Sequence, residues 1–428
     1  MAFKQVRLGD YFKFEKGLGY KGEFLAEDSE VALIGMDSHN DGGGYKEGSE
    51  KPYSGPYKPE HVAEVGDVIF AATEQGFGLL GSPLMVPESE KFQTFIFSHH
   101  VLKAFPIRED FLPEYLYNIY RVGKYRTKAA YGDTGTTVRA IPSEVMEEQM
   151  VPLPDLSTQQ AINEIISLID QQIANNRALS KNLEELARSI FLTSIASQVI
   201  IDNYSDIHVS DTTLLLNKIP KDWKIDSLGN YLSALESGKR PKGGGSSDTN
   251  GTPSIGAESI TGLGEFNYTK TKYVPPEYFD RMRSGVIKNF DILLYKDGAG
   301  AGNYITLFGE GFPFEKCCVN EHVFVLRASN VSQFYLYFWM EQREIKDLMI
   351  VLAQKSAQPG LNKTNVSEIP IVVPDSKTLA TFDELTEPLI KMILQKSLDS
   401  KMLADTRAAL LPQLVSGELI VSDFEVAS

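Results

Sequence analysis

Residues 3–11 read FKQVRLGDY and residues 223–231 read WKIDSLGNY. A repeat of this kind constrains a fold more than any local propensity, so it is traced first. At the same displacement of 220 residues, YLYNIY (115–120) meets YLYFWM (335–340) and VPLPDLSTQQAINEI (151–165) meets IVVPDSKTLATFDEL (371–385). ELARSIF (185–191) then meets DTRAALL (405–411). Between these anchors the register slips: GDVIF (66–70) matches FDILL (290–294) and HHVLKAF (99–105) matches EHVFVLR (321–327). One shared displacement at four separated places makes chance a poor explanation. The chain is a tandem of two units of about 220 residues each, far longer than a solenoid repeat.

Each unit opens with a mixed segment, 1–150 and about 211–375. Short β-type runs (DVIFA, FQTFIFS, HVLKAF; ILLY, HVFVLR) alternate with turn signals such as DGGGYKEG, SGPYKP, PKGGGSSDTNG and DGAGAGN. Short helices are expected at 111–123 and 331–349. Each unit closes with a long helix. In the first, Asp155 or Ser157 can cap and the helix runs to about Ser197. Its apolar seam is Ile162, Ile166, Ile169, Ile173, Leu183, Ala187 and Ile190, in coiled-coil steps of four and three. Asn176 falls on this seam, either buried to fix register or simply exposed. About 40 residues give a rod of roughly 60 Å. The second copy carries Phe382, Leu385, Leu389, Leu403 and Leu410, and Pro388 predicts a break with a fresh start after Thr386. Leu411-Pro412 and Ser416-Gly417 are expected to end it. Two long seamed helices, one per unit, pack most economically on each other and can lie antiparallel. The expected fold class is α+β: two mixed α/β domains joined by two long antiparallel coiled-coil helices, in a pseudo-two-fold repeat.

Over the 428 residues the net charge is −15, which by itself argues against a nucleic-acid partner. The charge is unevenly spread. Residues 1–150 carry 16 basic against 23 acidic side chains, and residues 211–375 carry 18 against 19. Local basic faces are therefore compatible with global acidity. The two cysteines, Cys317 and Cys318, are adjacent and form neither a disulfide framework nor zinc-finger spacing. With no apolar signal core at the N-terminus and no spanning apolar run, a reducing cytoplasm is expected.

Catalytic patterns fail on inspection. SGKRPK (237–242) lacks the leading glycine and the hydroxyl residue of a phosphate loop. GAGAGN (298–303) lacks dinucleotide-loop spacing. VPPEYF (274–279) has Val274 where an amino-methyltransferase needs an amide or carboxylate. PDSK (374–377) lacks the further acidic-x-Lys of a metal-dependent nuclease, and its copy PDLS makes Pro-Asp structural. No His/Cys/carboxylate cluster has metal spacing. The basic stretches are more informative. RVGKYRTKAAYGDTGTTVR (121–139) carries Arg121, Lys124, Arg126, Lys128 and Arg139, with Tyr131 interleaved and Thr134 able to bond phosphate. In the second unit SGKRPKGGG (237–245) carries Lys239, Arg240 and Lys242, with Lys355 and Lys363 farther on. These are the candidate DNA-binding residues.

The pattern as a whole resembles the specificity (S) subunit of type I restriction–modification systems. The residues that carry the resemblance are IPKDWKIDSLGNY (219–231), QPGLNKTNVSEIPIVVPD (358–375), the long helix 157–197 and, above all, LLPQLVSGEL (410–419). The first unit departs from it, with Arg139-Ala140 where the second has Pro359-Gly360. The resemblance implies target-recognition domains at 1–150 and, after a linker, within 201–375, each reading half of a bipartite double-stranded DNA sequence. It implies a central conserved helix at 151–200 and a distal one at 376–428 as spacer and dock for two methylation (M) subunits. It also implies that this chain is not an enzyme and carries no cofactor. S-adenosylmethionine would belong to the M subunits, and ATP and magnesium to the restriction (R) subunits. A second reading suits acidic charge equally: a non-catalytic two-headed scaffold that binds proteins and no DNA.

Overall fold

The structure, a computed structural model, describes residues 3–74, 78–131, 139–195, 197, 219–354 and 359–421. The chain divides into two compact units, Met1–Gln171 with Leu403–Ser428, and Gln172–Met402.

In the first unit, short β-branched and aromatic runs form β1 (Lys4–Arg7), β2 (Phe12–Lys16), β3 (Val31–Ile34), β4 (Lys51–Pro52), β5 (Val62–Ala63) and β6 (Val68–Ala71). They continue as β7 (Thr73–Glu74), β8 (Pro83–Met85), β9 (Thr94–Phe97) and β10 (Val101–Pro106). Then come α1 (Pro113–Arg121), α2 (Gly123–Tyr131), β11 (Arg139–Ala140), α3 (Ser143–Glu147), β12 (Met150–Leu153) and the long α4 (Leu156–Ser194). The central sheet is antiparallel in the order β2-β10-β6-β8. A second sheet, β4-β3-β9-β5, pairs β3 with β9 in parallel. The core sets Tyr115, Leu116, Ile119 and Tyr120 of α1 against Phe12, Phe70 and Phe111. Ile162 and Ile166 of α4 close it together with Leu411, Leu414 and Val415 near the end of the chain.

The second unit repeats this order with β13 (Lys224–Ser227), β14 (Leu232–Ser237), β15 (Thr252–Ile255), β16 (Lys272–Val274), β17 (Asp291–Tyr295), β18 (Ile305–Phe308), β19 (Cys318–Val319) and β20 (Val323–Ala328). These are followed by α5 (Gln333–Met340), α6 (Arg343–Gln354), α7 (Lys363–Ser367), β21 (Pro370–Val373) and α8 (Ser376–Ser416). Its sheet order, β14-β20-β17-β18, matches the first, and β15 again pairs in parallel with β19. Where the sequence suggests one short helix per unit, the structure has two, α1 with α2 and α5 with α6.

The repeated flanks have a mechanical role. β1 pairs antiparallel with β12, and β13 with β21, so each unit is clasped start to end just before its long helix. Leu8 and Leu228 are fully buried beneath this clasp. The glycine after each leucine sits against a short helix: a Cβ at Gly9 would lie 3.0 Å from Glu147 Cβ, and one at Gly229 2.9 Å from Ser367 Cβ. This close approach explains LG in both copies. Both units also pair a carboxylate with a cation at the central sheet. Asp67 pairs with Lys103 and Asp291 with Arg327, and each accepts a backbone N–H at 2.7 Å, from Glu64 and Lys288 respectively. The Pro-Asp signal is a helix cap. Asp155 accepts from Thr158 N–H at 2.9 Å, and Asp375 accepts from Thr378 N–H at 3.0 Å, from Thr378 Oγ1 at 2.7 Å and from Trp223 Nε1 at 3.2 Å.

Several expectations for the helices are corrected. On α4, Ile162, Ile166, Ile173 and Ala187 are buried, while Ile169, Leu183 and Ile190 are half-buried. Asn176 is buried and accepts from Gln172 Nε2 at 3.1 Å. α8 is unbroken through both prolines. Pro388 removes one bond, to the Glu384 carbonyl, but both lie on the exposed side where water can satisfy it. Buried Phe382, Thr386, Ile390, Ile393 and Leu394 flank it. Burying the four apolar ones at about 1.5–3 kcal/mol each outweighs a proline cost of about 3 kcal/mol. The buried face of α8 therefore follows this set. Leu385 is exposed, while Leu389, Leu403 and Leu410 are half-buried at its margin. The helix ends at Gly417, which adopts a left-handed φ of 76°, and Leu419 N–H reaches back to the Gln413 carbonyl at 3.2 Å.

Candidate nucleic-acid interface

In each unit a glycine-anchored turn follows the second strand. Gly17 and Gly238 leave no room for a side chain: a Cβ would lie 1.9 Å from the Phe97 carbonyl oxygen and 1.5 Å from that of Val319. In the second unit the turn runs on through Pro241 to Gly244, whose N–H bonds the Pro241 carbonyl at 3.0 Å. Tyr278 Oη donates to the Lys239 carbonyl at 2.9 Å and fixes its near side. Lys239, Arg240 and Lys242 are exposed on this turn. Among the described residues Arg240 has an acid partner, Glu321 at 3.0 Å. Lys239 and Lys242 have none.

From Glu321 a chain of contacts gathers loops remote in sequence. His322 lies 3.4 Å from Glu321 and 3.1 Å from Asp297, and Asp297 bonds Lys296 at 2.8 Å. Asp297 also forms a β-bridge with Gly360, and Gly298 N–H bonds the Pro359 carbonyl at 3.0 Å. Three residues beyond Gly360, Lys363 is exposed at the start of α7. The structure thus brings Lys239, Arg240, Lys242 and Lys363 into one loop cluster. Their lysines provide mobile point charges, and their backbone is held by strands behind.

The first unit builds the same cluster with different chemistry. Thr73 Oγ1 meets His100 Nδ1 at 3.0 Å, and β7 pairs with β11, setting Arg139 opposite Glu74. His100 stands where His322 does, and Arg139-Ala140 stands where Pro359-Gly360 does. Arg139 Nη2 also reaches the Ala130 carbonyl at 3.5 Å, tying β11 to the end of α2.

The basic stretch 121–139 does not behave as one loop. Residues 123–131 are helical, and two of its arginines serve the fold. Arg121 has a side chain only 7% exposed and forms a two-pronged ion pair with Asp170, at 2.7 and 3.0 Å. It also bonds Asn118 Oδ1 at 3.2 Å and lies over the Tyr117 ring. Burial alone would raise the Asp170 carboxyl; Arg121 and Arg407 more than offset it and hold it below its ordinary value. Arg126 Nη1 donates to the carbonyls of Arg121, Tyr120 and Gly42 at 2.8, 2.9 and 3.2 Å, and burial lowers its pKa. Neither is available to phosphate. Lys124 and Lys128 are exposed beside the Tyr125 ring, at 5.1 and 5.8 Å, and remain free to act. Tyr131 ends α2; Thr134 and Lys355 lie outside the described residues.

The structural counterpart of turn 238–245 in the first unit is GLGYKGEFL (17–25), with Lys21 exposed, and not 121–139. Sequence reading missed it because the two turns match only at Gly17/Gly238, Lys21/Lys242 and Gly22/Gly243, at a displacement of 221 and not 220. His39 was also missed. It is buried, with ring nitrogens 3.1 Å from the Gly35 carbonyl and 3.3 Å from that of Ile69, and burial takes its pKa down to about 4. Among the described residues, no three His, Cys, Asp or Glu side chains are grouped to hold a metal ion. No described helix is long and apolar enough to cross a membrane.

Two heads with the same central sheet order, each presenting a glycine-anchored turn beside its own loop cluster, define a duplicated recognition module. The chain belongs to the type I restriction modification DNA specificity domain family, whose model matches residues 2–185 and again 220–396. The Type I restriction enzyme MjaIX specificity subunit of Methanocaldococcus jannaschii is 22% identical over 324 residues, covering 74% of this chain and 71% of that protein. The MjaVIII specificity subunit of the same organism is 20% identical over 293 residues, covering 68% and 66%. The crystal structure of a type I restriction–modification S subunit from M. genitalium shares the fold, with a TM-score of 0.55 at 14% identity over 96% of both chains. As a member of this family the chain is a DNA sequence-specificity subunit, the non-catalytic recognition component of a type I complex.

Proposed function

We propose that each head reads one half of a bipartite DNA target and that the two long helices hold the heads and dock the M subunits. The observation that carries this is the duplication of the glycine-anchored turn and loop cluster on central sheets of the same strand order. Lys239, Arg240, Lys242 and Lys363 in the second head, and Lys124, Lys128 and Arg139 in the first, contact phosphate or base edges. Tyr131, Thr134 and Lys355 belong to the same proposal. The recognition domains span 1–150 and the later part of 201–375, with conserved helices in 151–200 and 376–428, and the protein acts in the cytoplasm. M subunits bring S-adenosylmethionine, and R subunits bring ATP and magnesium.

Apolar side chains exposed on the helices of the second unit support docking there. Leu179 and Leu186 stand two turns apart on α4, and Leu385 and Met392 two turns apart on α8. The net charge of −15 implies weak DNA binding by this chain alone and tight, salt-sensitive binding with M subunits, which add phosphate contacts. Affinity measured with and without M across a salt series tests this, and equal affinity in both would sink it. Mapping methylated adenines in the source genome before and after deletion of this chain should show one bipartite motif disappear.

A further inference from the structure

We propose that the second unit carries a binding site for an organic cation with N–H donors, an ammonium or guanidinium head group. The site is a cavity of about 350 Å³ between α4, α5, α6 and the loops at 261–265 and 303–305. Three carboxylates line it: Glu184 of α4, Glu341 capping the C-terminal end of α5 and Glu265 of the first loop. Two cations answer them. Arg188 reaches Glu341 at 3.3 Å and Glu184 at 3.5 Å, and Lys346 reaches Glu341 at 2.7 Å. Glu341 is therefore satisfied, Glu184 is shared, and Glu265 has no ion-pair partner among the described residues. The group is one positive charge short.

A second observation points to a ligand. Tyr337 is 1% exposed and lines the cavity, and its hydroxyl has no hydrogen-bond partner among the described residues. That hydroxyl opens into the cavity, so it is met by whatever occupies the cavity, solvent or ligand. Burial, with Glu341 and Glu184 nearby, holds this phenol protonated far above neutral pH. Burial also raises the Glu184 carboxyl, with Glu341 and Glu265 adding to it and Arg188 offsetting only part. An incoming cation would relieve all of these at once. Tyr304, 42% exposed, offers a ring face suited to a cation. The carboxylates are not grouped closely enough to hold a metal ion, so the occupant is organic. The site belongs to one unit only, because the repeat places Arg121 where Glu341 stands, and Arg121 is committed to Asp170.

This inference does not depend on how either head reads DNA. The head group can come from a basic side chain of a partner subunit or from a free polyamine. Calorimetric titration of the full chain with N-acetylarginine amide and with spermidine tests both. At least one probe should saturate a single site. Binding should weaken roughly tenfold in Glu265→Gln, which loses a charge-assisted bond on an exposed residue, and in Tyr337→Phe, which loses only the hydroxyl. Glu88→Gln, an exposed acid of the first unit, should bind as the parent does. Tighter binding of the arginine amide assigns the site to a partner side chain, and tighter binding of spermidine to a free polyamine. Saturation by neither probe, or equal binding by all four proteins, overturns the proposal. DNA affinity of the assembled complex, measured in parallel, reports on the recognition reading separately.

Discussion

Arg121 and Lys124 are three residues apart and carry the same charge, yet the fold uses them oppositely. Arg121→Ala leaves Asp170 with half its compensation and should destabilise the first unit by about 3 kcal/mol, measured by denaturant unfolding. Lys124→Ala and Lys128→Ala should leave stability unchanged. In the assembled complex each should instead reduce the salt slope of DNA binding by about 0.9. Composition cannot make this distinction, because what removes Arg121 from the surface is a carboxylate 49 residues later. His39 gives a residue-scale pH prediction. Its folded pKa is about 4 against an ordinary value of 6.5, so between those pH values the unfolded chain binds a proton that the folded chain does not. Stability is fully present above about pH 6.5 and should fall by up to about 1.4 kcal/mol per unit as pH drops toward 4. Chemical denaturation of the parent and of His39→Gln across this window should show the extra slope in the parent alone.

At the scale of elements, the long helices divide their apolar residues between two tasks. Leu183 is half-buried and packs against the core of the second unit, so Leu183→Asp should unfold that unit rather than merely disrupt assembly. Leu179→Asp with Leu186→Asp, on exposed positions, should leave the melting temperature unchanged and abolish co-purification with M subunits. What was readable in advance follows physical lines. The Asp155 cap, the repeat of the flanks and the buried part of the α4 seam were legible, since local hydrogen bonding and strict spacing determine them; the pairing of the flanking strands into a clasp was not. The unbroken α8 was not, because Pro388 is a local signal overruled by Phe382, Ile390, Ile393 and Leu394 packing on either side. The pairing of turn 17–25 with turn 238–245 was hidden as well. The shared feature there is a glycine pressed on a carbonyl, and of the exposed side chains around it only Lys21 and Lys242 correspond.

For the whole molecule, duplication separates frame from content. Both units keep the central sheet order, the Asp with its cation and the clasp. They differ in the exposed loops, where Thr73–His100 in one answers Asp297–His322 in the other. Grafting residues 238–245, 297–303 and 359–363 from a relative with another target should change one half of the methylated motif and leave the other half intact. Sequencing-based mapping of modified adenines would read this directly, and a change in both halves would refute independent heads.

The two units are also interleaved along the chain. The core of the first is completed by Leu411, Leu414 and Val415, which come after the entire second unit in sequence. During synthesis the first head emerges early but lacks part of its own interior until the last helix leaves the ribosome. The second unit, built from Gln172–Met402, is continuous and has no such wait. The head translated first is therefore the one finished last, and a chain truncated after Met402 should show a protease-resistant second unit beside a protease-sensitive first.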